Sequence, residues 1–141
     1  MASEARVQSG MRIQVGSLVY QSQPTSFVAD VAGAKGPTPG AITVSTAGTD
    51  IDLSELTTPG LCRIMNLSTV NYVTYGIWDP ESSKFYHLGE ALPGESYNIR
   101  LSRLLGWEAG TGTGTDGPET NRLRFYANAA ACDVLVEAFE V

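Results

Sequence analysis

A chain of 141 residues, 43% of them hydrophobic and 17% charged, is long enough for one domain with a substantial core. Its formal net charge of −6, with nine Lys and Arg residues scattered along the chain, excludes a basic face for nucleic acid or anionic lipid. The charged fraction is below the roughly 25% usual for soluble domains, which predicts that part of the surface contacts other protein.

The N-terminal residues carry neither the basic start nor the apolar stretch of a signal peptide. No apolar run approaches the roughly 20 residues that span a bilayer. We therefore expect a protein that is made and folded in a cytoplasm and that does not enter a membrane.

Residues 1–40 are predicted to form an extended N-terminal arm followed by a Pro/Gly connector. Residues 11–20 alternate apolar and polar side chains, which is typical of a half-buried strand, with a slip near Gly16 that we interpret as a bulge. A second extended segment is predicted over residues 27–31. The connector, residues 32–40, is too rich in glycine and proline to be helical.

Residues 41–141 are predicted to form a single β-sandwich domain. Turn signals recur roughly every 8–12 residues, as they do in sandwiches and barrels. Residues 70–78 and 84–88 are rich in β-branched and aromatic side chains and flank a turn, which predicts a β-hairpin. The expected fold is all-β: an antiparallel, jelly-roll-like sandwich of about eight strands.

The segment 107–121 is mostly Gly, Thr and acidic residues and is predicted to be an exposed loop. Its glycines superficially resemble a phosphate-binding loop, but they lead into Asp116 and Pro118 instead of a helix N-terminus. We interpret it as a contact loop that begins at Trp107.

No set of catalytic residues is apparent in the sequence. His87 is the only histidine, so a Ser–His or Cys–His mechanism would depend on it alone, and we interpret it as a partly exposed strand residue. The acidic pairs Asp50/Asp52 and Asp79/Glu81 lack the spacing of a calcium loop and are interpreted as solvated turn residues. We predict no enzymatic activity, no cofactor and no metal.

The two cysteines, Cys62 and Cys132, are far apart in the sequence, each within an apolar strand-like run. We favour two reduced, buried thiols, and a disulfide between sheets is the alternative. Two cysteines and one histidine do not make a zinc ligand set.

Aromatic side chains concentrate in the predicted hairpin, where Tyr72 and Trp78 share one strand face and Tyr75 lies on the other. Two interpretations stay open. The first, which we favour, places these rings in the core or in a subunit interface. The second has exposed rings such as Trp78 and Trp107 stack on sugars, as in a carbohydrate-binding module.

Three segments of the chain, taken together, resemble small β-sandwich virion proteins of tailed bacteriophages. The segments are residues 42–80, 85–103 and 122–139. The motifs that carry the resemblance are CRIMNLS before the aromatic hairpin, the turn LPGESY at 92–97, and the final ANAAACDVLVE.

The resemblance implies a capsid decoration or cement protein, with a tail, baseplate or fibre-attachment component as the alternative. It implies a homotrimer in the virion, made in the cytoplasm of a host bacterium, whose partner is the major capsid protein or another virion protein. In such proteins an N-terminal arm bridges neighbouring subunits. On this chain the expected partner-binding residues are those of the arm, with the loop as a secondary contact: Ile13, Val15, Leu18, Tyr20, Phe27 and Trp107.

Overall fold

The computed structural model of the protein describes residues 4–30, 35–102, 105 and 121–140. Within these ranges the chain forms twelve β-strands and no helix. The strands are β1 (Glu4–Ser9), β2 (Arg12–Val15), β3 (Leu18–Gln21), β4 (Thr25–Asp30), β5 (Thr38–Val44), β6 (Thr49–Asp50), β7 (Pro59–Asn66), β8 (Val73–Asp79), β9 (Lys84–Ala91), β10 (Ser96–Arg100), β11 (Arg122–Ala127) and β12 (Cys132–Glu140).

The last eight of these strands build two four-stranded sheets that pack as a sandwich. Sheet I has the order β10-β7-β12-β5 and sheet II the order β6-β11-β8-β9, with antiparallel pairing throughout. Counted from β5 as the first strand to β12 as the eighth, the sheets run 6-3-8-1 and 2-7-4-5. This is the strand order of a jelly roll, so the predicted all-β antiparallel sandwich is confirmed.

The core forms because strands of both sheets place every second side chain inward. In β12 the inward side chains are those of Cys132, Val134, Val136 and Ala138, as the alternation predicts. Across the core, β11 contributes its own alternate residues, among them the fully buried Phe125. The predicted aromatic hairpin is also present, as β8 paired with β9.

Asn66, at the end of β7, ties sheet I to sheet II. Its side chain is fully buried, and its amide nitrogen donates to the carbonyl oxygens of Asn71 at 2.8 Å and Ala91 at 3.0 Å. Its side-chain oxygen accepts a bond from the backbone N–H of Ser68 at 2.9 Å. Since Ala91 ends β9 of sheet II, one amide group holds the sheets in register at this end of the sandwich.

The first four strands form one long β-hairpin in place of a single extended arm. β1 pairs with β4, and β2 pairs with β3 beyond them. Gly16 lies at the tip, where it and Ser17 join Val15 to Leu18. Its φ of 56° at the first of two central residues fits a type II′ turn, so the alternation slips there because the chain reverses and not because a strand bulges.

The first sandwich strand begins at Thr38, inside the segment expected to be a connector. Gly36, just before it, packs tightly on the last strand: a Cβ at this position would lie 2.6 Å from the carbonyl oxygen of Ala138. Residues 31–34, which include the end of the predicted segment 27–31, lie outside the described ranges.

Candidate interaction surface

One face of the hairpin tip is entirely apolar. Ile13 pairs with Tyr20, and Val15 pairs with Leu18, so all four side chains project from the same side of the two-stranded ribbon. We call these four residues the tip face. Each is exposed in the chain by itself, with Val15 at 69% and Leu18 at 59% of full exposure.

The opposite face of the tip is polar. It carries the cross-strand pairs Arg12 with Gln21 and Gln14 with Val19, and the Arg12 guanidinium donates to the Gln14 side-chain oxygen at 3.3 Å. Val19, 63% exposed, is the single apolar side chain on this side. The tip is therefore amphipathic although neither face packs on the sandwich.

A contiguous exposed apolar face of this kind is typical of interaction surfaces, because soluble proteins rarely leave such patches in water. Complete burial of one large aliphatic side chain contributes about 1.5–3 kcal/mol. Four neighbouring side chains on a preformed turn therefore offer a partner several kcal/mol of association energy, on the order of 5 kcal/mol after the parts already covered are discounted.

The other two predicted contact residues do not belong to the tip face. Phe27 lies nearer the sandwich, in β4, where it pairs with Val7 of β1 and borders a groove between the hairpin base and sheet I. Trp107 and the rest of the predicted contact loop up to residue 120 lie outside the described residues.

The groove beside Phe27 has a volume of about 470 Å³. Strand β1 forms one wall, and the outer face of sheet I forms the floor. Two rows of side chains cross this floor, Arg100 with Leu61 and Phe139 in one rung and Asn98 with Arg63 and Glu137 in the next. Sequence reasoning missed this groove, because its residues come from β1, β4, β7, β10 and β12 and only the strand register brings them together.

The outer face of sheet II carries a second cluster, built around Arg124. Its Nε donates to Asp50, and its guanidinium carbon lies 4.0 Å from the centre of the Trp78 ring. Burial alone would raise the pKa of Asp50, but the hydrogen bonds and charges of Arg124 and Arg122 outweigh it and lower that pKa. The cluster is internally paired, and one face of the Trp78 indole is already covered by a cation.

His87 lies on the same outer face of sheet II, in β9. Its ring meets Phe85 edge-on, with 4.6 Å between the ring centres, and Phe85 in turn contacts Tyr126. His87 is a strand residue with an exposed side chain, where the sequence predicts a partly exposed one.

The turn carboxylates bond to their own loops. Asp79 accepts bonds from the backbone N–H of Glu81 at 3.0 Å and from Ser82, and the hydrogen bond from the Ser82 hydroxyl is the main cause of its lowered pKa. Asp52 accepts a bond from the N–H of Ser54 at 3.0 Å. Among the described residues, no group of three or more His, Cys, Asp or Glu side chains is placed to hold a metal ion.

Both cysteines are free and buried in sheet I. Cys62 lies opposite Ala138, six residues along β12 from Cys132, so about 20 Å separates the two along the strand. A disulfide requires Cα atoms within about 7 Å, which excludes the alternative of a bond within one folded chain. Burial, with a contribution from the nearby Glu137 charge, raises the pKa of the Cys62 thiol to about 12.

No helix long and apolar enough to cross a membrane occurs in the described part of the chain. Comparison of the chain with protein-family models, curated proteins and solved structures finds no match. Within the described residues, the two candidate interaction surfaces are the apolar tip face of the N-terminal hairpin and the groove at the base of that hairpin.

Proposed function

We propose that the chain is a non-enzymatic structural protein of a tailed-phage virion that decorates or cements the capsid. In this proposal the tip face binds the major capsid protein or a neighbouring virion protein. The observation that carries the proposal is the amphipathic hairpin, which presents Ile13, Val15, Leu18 and Tyr20 to solvent on one side.

The contrast between the sandwich and the N-terminal hairpin supports this proposal. The sandwich buries its own core and needs no partner, whereas the hairpin strands pair only with each other among the described residues. Jelly rolls occur in viral capsid proteins, lectins and cupins alike, so the fold by itself does not select among these functions. The hairpin does favour a protein that works by docking.

The mechanism is mass-action linkage. A protein that binds the assembled, expanded shell and not its separate subunits stabilises the shell by its binding free energy at the prevailing concentration. A homotrimer would present three hairpins at once and raise the avidity for a repeating lattice without any new kind of contact.

The carbohydrate-binding alternative has weaker support. Sugar stacking uses open aromatic faces, and Arg124 covers one face of Trp78. A tail or baseplate component would use the same hairpin on a different partner, so this alternative is separated from decoration by the particle that the protein binds.

Two valines on opposite faces of the tip give a matched test. Val15→Asp puts a charge on the tip face, and Val19→Asp puts the same charge one strand away at a similar exposure. We expect Val15→Asp to weaken co-sedimentation with expanded, undecorated shells of the cognate phage at least tenfold, because a docked carboxylate would be desolvated without a partner. Val19→Asp is expected to stay within about twofold of the unmodified protein.

The proposal is overturned if the unmodified protein fails to bind shells, if it binds isolated tails better than shells, or if both aspartate variants bind shells as well as the unmodified protein does. Circular dichroism of each variant establishes that the sandwich is intact, and mass photometry at the concentrations used tests the expected trimer.

A further inference from the structure

The groove at the hairpin base combines apolar side chains with positive charge. Leu61 and Phe139 lie side by side in one rung of the floor, and Val7 and Phe27 face it from the hairpin. Strand β1 borders it from Ala5 to Ser9, a length of about 13 Å at the usual rise per strand residue. The space suits about five residues of extended chain.

Three arginines line this groove in a protein whose net charge is −6. Arg63 is bonded to Glu137, with 2.9 Å between its Nη1 and the carboxylate. Arg6 and Arg100, one on the wall and one on the floor, form no ion pair with any described residue. By contrast, Arg122 and Arg124 on the opposite sheet both pair with Asp50.

We infer that this groove binds a short, extended peptide segment of a partner protein that carries both acidic and apolar side chains. The backbone of such a segment would run beside β1. Its apolar side chains would contact Leu61 and Phe139, and its carboxylates would accept charge-assisted, bidentate hydrogen bonds from Arg6 and Arg100. Arg100 shares one rung of the floor with Leu61 and Phe139, so a single extended segment can reach both the charge and the apolar side chains.

The composition of the groove favours a peptide over a phosphate-bearing ligand. A nucleic acid backbone or a free phosphate would gain nothing from the apolar side chains, and the overall negative charge would repel it. An acidic–apolar peptide uses both features. The inference is independent of the proposed virion function, because it concerns a different surface from the tip face.

The test measures binding of a five-residue, fluorescein-labelled peptide that alternates glutamate and valine, by fluorescence anisotropy with the full chain. We expect saturable binding that weakens several-fold between 50 and 300 mM salt, as roughly expected for screened charge pairs. The peptide in which lysine replaces glutamate is expected to bind at least tenfold more weakly.

Charge-neutral variants locate the site. Arg6→Gln and Arg100→Gln are each expected to weaken binding of the acidic peptide about tenfold, and Arg12→Gln, on the polar face of the tip, is the matched control that changes nothing. All three side chains are exposed, and circular dichroism verifies the fold of each variant.

The inference is overturned if the acidic peptide does not bind at 1 mM, if the lysine peptide binds equally well, or if Arg6→Gln and Arg100→Gln behave like the control. It is also overturned if a dimer dissociates in Arg100→Gln, because the occupant would then be a second copy of this chain. The experiments distinguish the failure of one proposal from the failure of the other. Val15→Asp is expected to keep peptide binding, and the arginine variants are expected to keep shell binding.

Discussion

Asn66 is a residue on which the fold depends, because its buried amide joins β7 of sheet I to the end of β9 in sheet II and to the loop after β7. Asn66→Ala removes two donated bonds and one accepted bond in a fully buried site. We expect the free energy of unfolding to fall by about 2–4 kcal/mol, since the carbonyl groups of Asn71 and Ala91 lose their partner.

Urea denaturation measures this loss, and Asn98→Ala is the control. Asn98 is exposed on the outer face of sheet I, so its replacement should change the free energy of unfolding by no more than about 0.5 kcal/mol. Equal effects at the two positions would contradict the role given to Asn66.

Gly76 is a second residue on which the fold depends, because β9 crosses it at close range. A Cβ at this position would overlap the carbonyl oxygen of Tyr86 and lie 2.9 Å from the Phe85 ring. Gly76→Ala is therefore expected to destabilise the protein by about 1–3 kcal/mol, the usual range for overpacking.

Thermal unfolding followed by circular dichroism compares this variant with Gly10→Ala, where no atom approaches the added Cβ closer than 4.0 Å. An unchanged midpoint in Gly76→Ala would show that β8 and β9 separate there without cost.

At the scale of the elements, the two-residue strand β6 is fastened to β11 by Asp50. The pKa of its carboxyl is lowered below the ordinary value of 3.8, so the pair contributes its full stabilisation above that value and loses it as the pH falls through the lower, folded-state pKa. Asp50→Asn removes the titrating group. The variant is therefore less stable at pH 7, and its free energy of unfolding falls less between pH 6 and pH 2.

Chemical denaturation at a series of pH values measures the difference between the two curves. Asp79 and Glu95 also have lowered pKa values, so both proteins lose stability in acid and only the difference reports on Asp50. Parallel curves for the two proteins would contradict the assignment.

The strands best predicted from the sequence are those in which apolar and polar side chains alternate because one face of the strand is buried in the core. The inward face of β12 and the pairing of β8 with β9 follow from the residue pattern alone. The sequence does contain a signal for the hairpin tip, because Gly16-Ser17 between two apolar alternations is a typical two-residue turn. The interpretation of Gly16 as a bulge is wrong, although a bulge produces the same change of phase in the alternation.

At the scale of the whole molecule, the proposed function predicts linked stability. Shells saturated with the protein should resist thermal disruption at a higher temperature than bare shells, because binding to the assembled lattice alone shifts its equilibrium. A hundredfold excess over Kd corresponds to about 2.7 kcal/mol per site. Light scattering during heating measures the shift, and shells incubated with Val15→Asp are expected to behave like bare shells.

The two candidate surfaces differ in how far a sequence can reveal them. Ile13, Val15, Leu18 and Tyr20 are close in the chain, and their alternation places them on one face once the turn is known. The groove depends on long-range strand register, because Arg6 and Arg100 are 94 residues apart in the sequence and no local pattern connects them. Composition showed only that the basic residues are few and scattered.

The central position of β12 has a consequence for how the protein is made. Sheet I cannot close until residues 132–140 have left the ribosome, since this strand pairs with both β5 and β7. The hairpin needs only its own residues and emerges first. At a synthesis rate of about 5–20 residues per second, the hairpin emerges on the order of ten seconds before the last strand does. The tip face is therefore exposed to the unfolded part of the chain before the sandwich can form.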